Sequence, residues 1–546
     1  MQEELEMKSG SAVRSGPADH AQGGGSVAYR QKQQLERYLS FFSSLAFSAT
    51  LLASWESAGG SIQSGLLNGG PAAIVYGIII STIGNLTIAC SLAELASVHP
   101  TAGAQYHWSY FLAPRFRRFI SFFQGSLAPP YSYVPANLAG WVTVFSWSAL
   151  VCISPYFIGA QIQGMIALAH PDYEVVPWRS TLLMWAVALI PIVINIFARR
   201  ILGPIEVAAG IMHVVFLPVT IAVFVILAPR NPNEFVWNTF VSLGGWSNSG
   251  VAYSVGLLGV ITPLSGITPS LPLLIHEADE CPGVDGVIHM AEEVKNAKTV
   301  VPRSMIYGTL INGVLAFSYL VAVLYCMGNY EEALLSPTGF PIITIAYQAT
   351  GSLPATFVLM AMGMLPGWIA LFNGLASVTR LAWAFARDNG LPFSDFFARV
   401  DPRFKIPIRA LFLVASCIVA LSFIQIGSST AFNAILSLST LGLYISYLIP
   451  LWLLVYKRVT APSDIPRGTF SLGKWGLPVN LLAILFATYF VIFLPFPPQV
   501  PVTGENMQYA GPVLGFVMLF AIGDWIVRGR HRWEGPTVSL RAYGRE

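Results

Sequence analysis

The chain has 546 residues, of which 54% are hydrophobic and only 10% are charged, and its mean hydropathy is +0.62. Average soluble domains carry about 25% charged residues, so the composition excludes a soluble protein and indicates a polytopic membrane protein. The net charge of +3 is spread over many short loops, which argues against a nucleic-acid partner. Five scattered cysteines show no metal-ligand spacing, and we expect neither a metal nor another cofactor.

Apolar runs long enough to cross about 30 Å of hydrocarbon follow a polar segment over residues 1–38, which we predict to be a disordered cytosolic tail. Twelve crossings are predicted, the third and sixth of them interrupted: 40–66, 71–95, 119–168, 180–198, 204–227, 250–290, 305–327, 353–379, 408–426, 429–456, 477–496 and 508–527. The predicted fold is therefore an all-α membrane domain over residues 39–528, with a cytosolic tail over 529–546 and a monomeric state.

The distribution of basic residues predicts the orientation. If there are twelve crossings, 28 of the 30 lysines and arginines lie on the side of the N-terminus, and only Arg179 and Arg230 lie opposite. Cytoplasmic loops of membrane proteins carry an excess of lysine and arginine, so both termini are predicted to be cytosolic. The plasma membrane is the expected location, with the vacuolar membrane as the alternative.

The first and sixth crossings carry acidic residues and glycines at membrane depth. The first contains "SWESAGGSIQSGLLNGGP" from residue 54, and the sixth contains "GVDGVIHMAEEVKNAKTVVPRSM" from residue 283. Free backbone groups and carboxylates are costly there, so these crossings are predicted to be discontinuous helices. They lie five crossings apart, which is typical of two inverted five-helix repeats, here about 39–227 and 250–456, followed by two extra helices at about 477–527.

Unwinding of the first crossing is expected around residues 56–60, where freed backbone groups and a half-helix N-terminus would hold a substrate carboxylate. Glu56 and Asp285 would hold the substrate's amine, or alternatively carry a coupling proton. The competing interpretation is structural: glycines let membrane helices pack closely, and Glu56 bonds a neighbouring helix.

Other titratable residues fall in or beside the crossings. Glu206 and His213 are seven residues apart, two turns on one helical face, and are further candidates for the coupling proton, or else a helix-start acid and a paired histidine. His289 and the acids at 292 and 293 lie beyond the break in the sixth crossing. We predict a cytoplasmic gate there in place of a metal site, with candidate residues Glu292, Lys295, Arg387 and Asp388.

Five motifs, in this order, resemble those of the fungal amino acid/choline permeases of the amino acid-polyamine-organocation superfamily: "SGLLNGGPAAIVYG", "LAELASVHPTAGAQYHWS", "HMAEEVKNAKTVVPRSM", "SPTGFPIITIAYQATGS" and "RLAWAFARDNGLPF". The resemblance covers about residues 38–536. It implies twelve helices, the inverted repeat, and proton-coupled uptake of amino acids, 4-aminobutyrate, choline or related amines.

The resemblance also places the substrate-binding breaks of the first and sixth helices on particular residues. These are Trp55, Glu56, Ser57, Ala58, Gly59, Gly60, Gly283, Val284, Asp285 and Gly286. The superfamily's common Gly-Ser/Thr-Gly pattern is replaced here by Trp-Glu-Ser. The contacts to a substrate carboxylate are therefore expected to differ from the usual ones.

Two segments interrupt motifs that run on directly in similar permeases. Residues 126–140 add three prolines to the third crossing, and residues 267–282 add three acids to the sixth. We interpret both as translated remnants of unspliced short introns, and sequencing of the mature transcript decides this.

A secondary active transporter is the expected function. The chain has no GxxxxGK[ST] phosphate-binding loop, which argues against an ATP-driven pump. The alternatives are a non-transporting nutrient receptor on the same fold and an integral-membrane enzyme, although no nucleophile–base set for an enzyme is evident.

Overall fold

The computed structural model describes residues 35–114, 117–123, 139–197, 199–261, 283–334, 336, 338–504, 506–533 and 535–536. Over these residues the chain is helical, and its only extended pairings are two isolated bridges, Leu39 with Val294 and Asn68 with Ser242. All of the predicted insert 267–282 and most of 126–140 lie outside the described residues.

The helices are numbered here in chain order. They are α1 Phe41–Leu52, α2 Ser54–Leu67, α3 Gly70–Val98, α4 Ala104–Leu112, α5 Arg117–Phe123, α6 Ala139–Ala169, α7 Pro177–Phe197, α8 Arg199–Leu227, α9 Asn233–Asn238, α10 Ser249–Ile261, α11 Gly286–His289, α12 Ala297–Tyr325, α13 Tyr330–Leu334, α14 Pro341–Thr350, α15 Leu353–Arg387, α16 Ser394–Phe397, α17 Ile408–Gly427, α18 Ser429–Thr460, α19 Gly476–Phe493, α20 Ala510–Asp524 and α21 Arg530–Arg532.

Within the described part of the chain, ten helices are long and apolar enough to cross a membrane. They are α3, α6, α7, α8, α12, α15, α17, α18, α19 and α20. The other two are the crossings predicted to be discontinuous helices: the first is divided into α1 and α2, and α10 and α11 are the described parts of the sixth. The prediction of an all-α polytopic membrane fold is confirmed.

The interruption of the first crossing lies at Ala53, whose backbone is left-handed with φ 38° and ψ 42°. The predicted unwinding over residues 56–60 is wrong, because all of these residues are helical in α2. Gly59 serves close packing instead. A Cβ atom on Gly59 would lie 2.8 Å from the Tyr319 hydroxyl and 3.0 Å from the Ile342 side chain, so α2 touches its neighbours where glycine leaves room.

Asn312 of α12 satisfies backbone groups that the interruption leaves without helical partners. Its side-chain Nδ2 donates to the Ala49 carbonyl at 2.9 Å, and its Oδ1 accepts from the Ser54 amide at 3.3 Å. The Ser54 hydroxyl donates back to the Asn312 carbonyl at 3.0 Å. One buried asparagine therefore holds both sides of the break, in a region where an unpaired backbone group is expensive.

We call the end of the bundle where α1 begins and α15 ends the N-terminal face. The backbone amide of Leu39 donates to the Glu293 carbonyl at 3.1 Å, and the Lys295 amide donates to the Leu39 carbonyl at 2.9 Å. Buried Leu35 packs in one cluster with Trp383 near the end of α15. The chain thus enters α1 across the segment that follows α11.

The substitution Asn312→Ala tests the role of this residue in holding the break. It removes the partners of the Ala49 carbonyl and the Ser54 amide, and each buried group left unpaired costs about 1–3 kcal/mol. We expect a clearly lower unfolding temperature for the purified protein in detergent. Asn238→Ala, at an exposed position at the end of α9, is the matched control, and equal unfolding temperatures for the two variants would contradict this account.

Candidate functional site

The two interrupted crossings meet inside the bundle. Leu52 and Ser54, on either side of the first break, and Val284, just before α11, line one cavity of about 20 Å³. Its remaining lining comes from α3 and α12 and consists of Ile78, Thr82, Asn85, Thr309, Asn312, Gly313 and Ala316. A Cβ atom on Gly286 would clash with the Leu51 side chain, so α11 and α1 are in close contact. The cavity has room for about one water molecule, so a substrate requires the helices to separate.

Glu56 points away from this cavity and pairs with His213 of α8. Its Oε1 lies 2.6 Å from His213 Nδ1, and both side chains are buried. Among the described residues, Glu56 Oε2 and His213 Nε2 have no hydrogen-bond partner. Trp55 supports the pair from the same helix, because its Nε1 donates to the His213 carbonyl at 3.0 Å. Two predicted proton carriers thus form one hydrogen-bonded unit.

Glu206 is buried on the other side of the break. Its Oε2 accepts from Asn373 Nδ2 of α15 at 2.8 Å and from the Thr50 hydroxyl of α1 at 3.3 Å. Its Oε1 has no partner, and its carboxyl forms no ion pair with any side chain that the structure describes. Glu206 and His213 lie on one face of α8, as the sequence predicted, and both face the first crossing.

Asp285 is fully buried and bonded by side chains from four helices. Its Oδ1 accepts from the Tyr447 hydroxyl of α18 at 2.6 Å, and its Oδ2 accepts from Trp147 Nε1 of α6 at 3.3 Å and from Gln105 Nε2 of α4. His289 of α11 completes the set, with its Nε2 3.2 Å from Oδ2. The two carboxylates expected at a shared substrate site therefore have separate partners, and neither lines the cavity at the break.

The hydrogen bonds of His289 place a proton in its pair with Asp285. Its Nδ1 lies 2.8 Å from the Ala102 carbonyl, which can only accept, so Nδ1 carries hydrogen. The contact between Nε2 and the carboxyl group then requires a second proton, either on the imidazole or on Asp285. In both cases the pair is neutral as a whole, which suits its complete burial.

Beyond α11, two ion pairs join the following segment to α15, and we call them the N-face ion-pair cluster. Arg387 Nη1 donates to Glu292 Oε1 at 2.9 Å, and Arg380 Nε donates to Glu293 Oε1 at 2.8 Å. The Ser377 hydroxyl of α15 donates to the Gly286 carbonyl at 3.0 Å. Of the four predicted gate residues, Glu292 and Arg387 are paired, whereas the side chain of Lys295 is exposed.

Asp388, the fourth predicted gate residue, bonds to α4. Its Oδ2 accepts from the Tyr106 hydroxyl at 3.0 Å and lies 2.8 Å from His107 Nε2. Burial, with the Asp388 carboxylate nearby, raises the pKa of Tyr106 well above its usual range, so the hydroxyl stays protonated and donates. Asp388 therefore ties the end of α15 to α4.

Sequence reasoning missed several residues that complete these networks. They are Thr50, Gln105, His107, Asn312, Asn373, Arg380 and Tyr447. Polar side chains inside long apolar runs were the available signal, because such residues in membrane helices face partners in the bundle. Their pairing required the positions of helices distant in sequence.

Tyr447→Phe tests whether the Asp285 network stabilises the bundle. The substitution keeps the ring but leaves Asp285 Oδ1 without its hydroxyl donor, at a cost of about 1–3 kcal/mol. We expect a lower unfolding temperature than for Tyr456→Phe, a control on the same helix whose side chain is half exposed. Identical unfolding curves for the two variants would show that the network contributes nothing to stability.

Comparison with known proteins identifies the family. The sequence pattern of the family described as "Amino acid permease" matches residues 39–519. A choline transporter of Saccharomyces cerevisiae is 30% identical over 96% of this chain and 87% of its own length. A putative amino acid/polyamine transporter of Macrophomina phaseolina is 28% identical over 85% of this chain and 96% of its own. Amino-acid permease 2 of Neurospora crassa is 29% identical over 94% and 88%, respectively.

The family pattern covers most of the chain, and it includes both interrupted crossings and the helices that contact them. The chain belongs to the amino acid permease family and is a multi-pass membrane transporter, not an enzyme.

Proposed function

We propose that this transporter is a secondary active symporter that takes up a small amine or amino acid together with a proton. The observation that carries the proposal is the junction of the two interrupted crossings at one cavity, in a chain of the amino acid permease family. Discontinuous helices at the centre of a transporter bundle present backbone groups and helix ends to a bound solute. The similar proteins are named for amino acids, polyamines and choline, which supports this substrate class.

The substrate site is proposed to form at this junction when the helices separate. Ser54, Asn85 and Asn312 already line the cavity and supply neutral donors and acceptors. The predicted substrate contacts of Trp55 through Gly60 and Gly283 through Gly286 stay a proposal. Asp285 would contact an ammonium group only after it releases at least one of its present partners.

Proton coupling is proposed to use two sites on α8. The Glu56–His213 pair lies two turns from Glu206, which is about 10 Å along a helix axis. An unpaired charge buried in a membrane protein costs several kcal/mol, so a carboxyl group without a cationic partner is well suited to bind a proton. The two sites flank the break at Ala53, which links protonation to the element that would bind substrate.

Alternating access is proposed to open the N-face ion-pair cluster as the inner gate. Opening toward that face would separate α11 from α15 and break the Arg387–Glu292 and Arg380–Glu293 pairs. The distribution of lysine and arginine supports a cytosolic N-terminal face, and the proposed location is the plasma membrane, with the vacuolar membrane as the alternative. The two repeats of the predicted inverted architecture would carry this motion.

Uptake by purified protein in liposomes tests the function. Radiolabelled choline, 4-aminobutyrate, polyamines and a panel of amino acids are offered with and without an inward proton gradient. Two chains are compared, the full chain and one without residues 126–140 and 267–282. The proposal expects one substrate class to accumulate only with the gradient. Substrate binding without accumulation in both chains would favour the receptor alternative and contradict the proposal.

Removal of the acidic groups at the two proton sites should uncouple transport. Glu56→Gln and Glu206→Gln are each expected to lower gradient-driven uptake at least tenfold, equivalent to about 1.4 kcal/mol. Exchange of internal for external substrate needs no net proton movement, so it should fall less than uptake does. Glu332→Gln, at an exposed position in α13, is the control. Near-normal driven uptake in both variants would remove these residues from the coupling mechanism.

A further inference from the structure

The segment after the last crossing, predicted only as a tail, packs against the bundle. Trp533 is completely buried at the N-terminal face. Its ring centroid lies 5.2 Å from that of Phe122 in α5, 5.5 Å from that of Phe385 in α15 and 5.9 Å from that of Tyr106 in α4. One indole therefore contacts three separate helices, of which α15 is distant in sequence from α4 and α5.

Polar contacts fix this segment on both sides of the indole. Arg118 of α5 donates to the Trp533 carbonyl through Nε at 2.9 Å and also through Nη2. Arg528 donates to the carbonyls of Gly390 at 2.5 Å and Leu391 at 2.9 Å, directly after Asp388. Three buried backbone acceptors are thus held by guanidinium groups, which bind carbonyls in fixed geometry.

The backbone that follows Trp533 also packs closely against α4. Gly535 has φ +98°, a conformation that other residues rarely adopt, and a Cβ atom at this position would clash with the Tyr110 ring of α4. Gly535 and Pro536 are both buried. The segment follows the surface of α4 closely and leaves no room for a larger side chain.

Tyr106 connects the Trp533 indole to the residues of the proposed inner gate. The Tyr106 ring contacts Trp533 and Phe385, and its hydroxyl donates to Asp388, which also contacts His107. Arg387, which precedes Asp388 and ends α15, makes the ion pair with Glu292. Whatever holds α4 against the end of α15 therefore also orients Arg387 toward the segment that follows α11.

We infer that residues 528–533, together with Gly535 and Pro536, form a latch that positions α4 and α15 as one wall of the inner gate, with Trp533 as its anchor. The inference rests on the proposed function only in treating the N-face ion-pair cluster as a gate. While the latch is docked, the wall is rigid and the ion pairs stay aligned. When the latch is released, the gate opens more readily toward the N-terminal face.

Docking of the indole has a cost as well as a gain. The indole Nε1 of Trp533 is buried and has no acceptor among the described residues. Docking therefore gains from burial of the ring but loses the hydrogen bond that this N–H makes with water.

Thiol labelling of a buried reporter tests the latch without any substrate. The reporter is Ser377→Cys, placed in a variant whose five native cysteines are replaced. Ser377 lies on α15, is buried against α11, and becomes reachable only if the two helices separate. Purified protein in lipid nanodiscs is treated with a charged maleimide. We expect Trp533→Ala to raise the labelling rate at least threefold over Trp475→Ala, an exposed tryptophan control at the same face. Trp533→Phe should remain near the control.

Two further variants distinguish failure of the latch from failure of the gate. Gly535→Ala disturbs docking without removing the indole, and it replaces Trp533→Ala as the test if that variant does not fold. Glu292→Gln breaks the gate ion pair directly. If Glu292→Gln labels faster while both latch variants match the control, the latch is refuted and the gate stands. If no variant labels faster, the assignment of the gate itself is wrong, and the latch falls with it.

Discussion

A helix that breaks inside a membrane bundle must find partners for the backbone groups it frees, because no water is available to replace them. Here the break at Ala53 is held by one side chain, Asn312, which bonds to the Ala49 carbonyl before it and the Ser54 amide after it. The Gly286 carbonyl at the sixth crossing is held in the same way by Ser377. The two breaks are therefore fixed by α12 and α15.

This constraint explains the separation of charge from the central cavity. The lining residues at the break are apolar or neutral, whereas the buried acids lie to either side and bond to other helices. Glu56 of the first crossing faces α8, and Glu206 of α8 faces the first crossing. Proton binding at either carboxyl group would act on the break directly. Asp285 and the N-face ion-pair cluster join α11 to α4, α6, α15 and α18 instead. The proposed coupling and gating roles thus fall on different carboxyl groups, while the lining of the cavity at the break carries no charged side chain.

The sequence predicts the crossings well because each one needs about twenty apolar residues, and that requirement is local. It also predicts which two crossings are interrupted, since acidic residues and glycines at membrane depth are unusual. The position of the first break was misplaced, because glycine was expected to mark it. The structure uses Ala53 for the left-handed residue and Gly59 for packing against Tyr319. The shared face of Glu206 and His213 follows from helical spacing alone. The partners of Asp285 could not be predicted, because they come from helices up to 180 residues away in sequence.

The most direct test of the central claim is an experimental density map of the protein with its transported substrate bound. The account predicts substrate density between the first and sixth crossings, within contact of Ser54, Val284 and Asn312, with the first crossing still interrupted at Ala53. An unbroken first helix, or substrate density held elsewhere in the bundle away from both breaks, would contradict it.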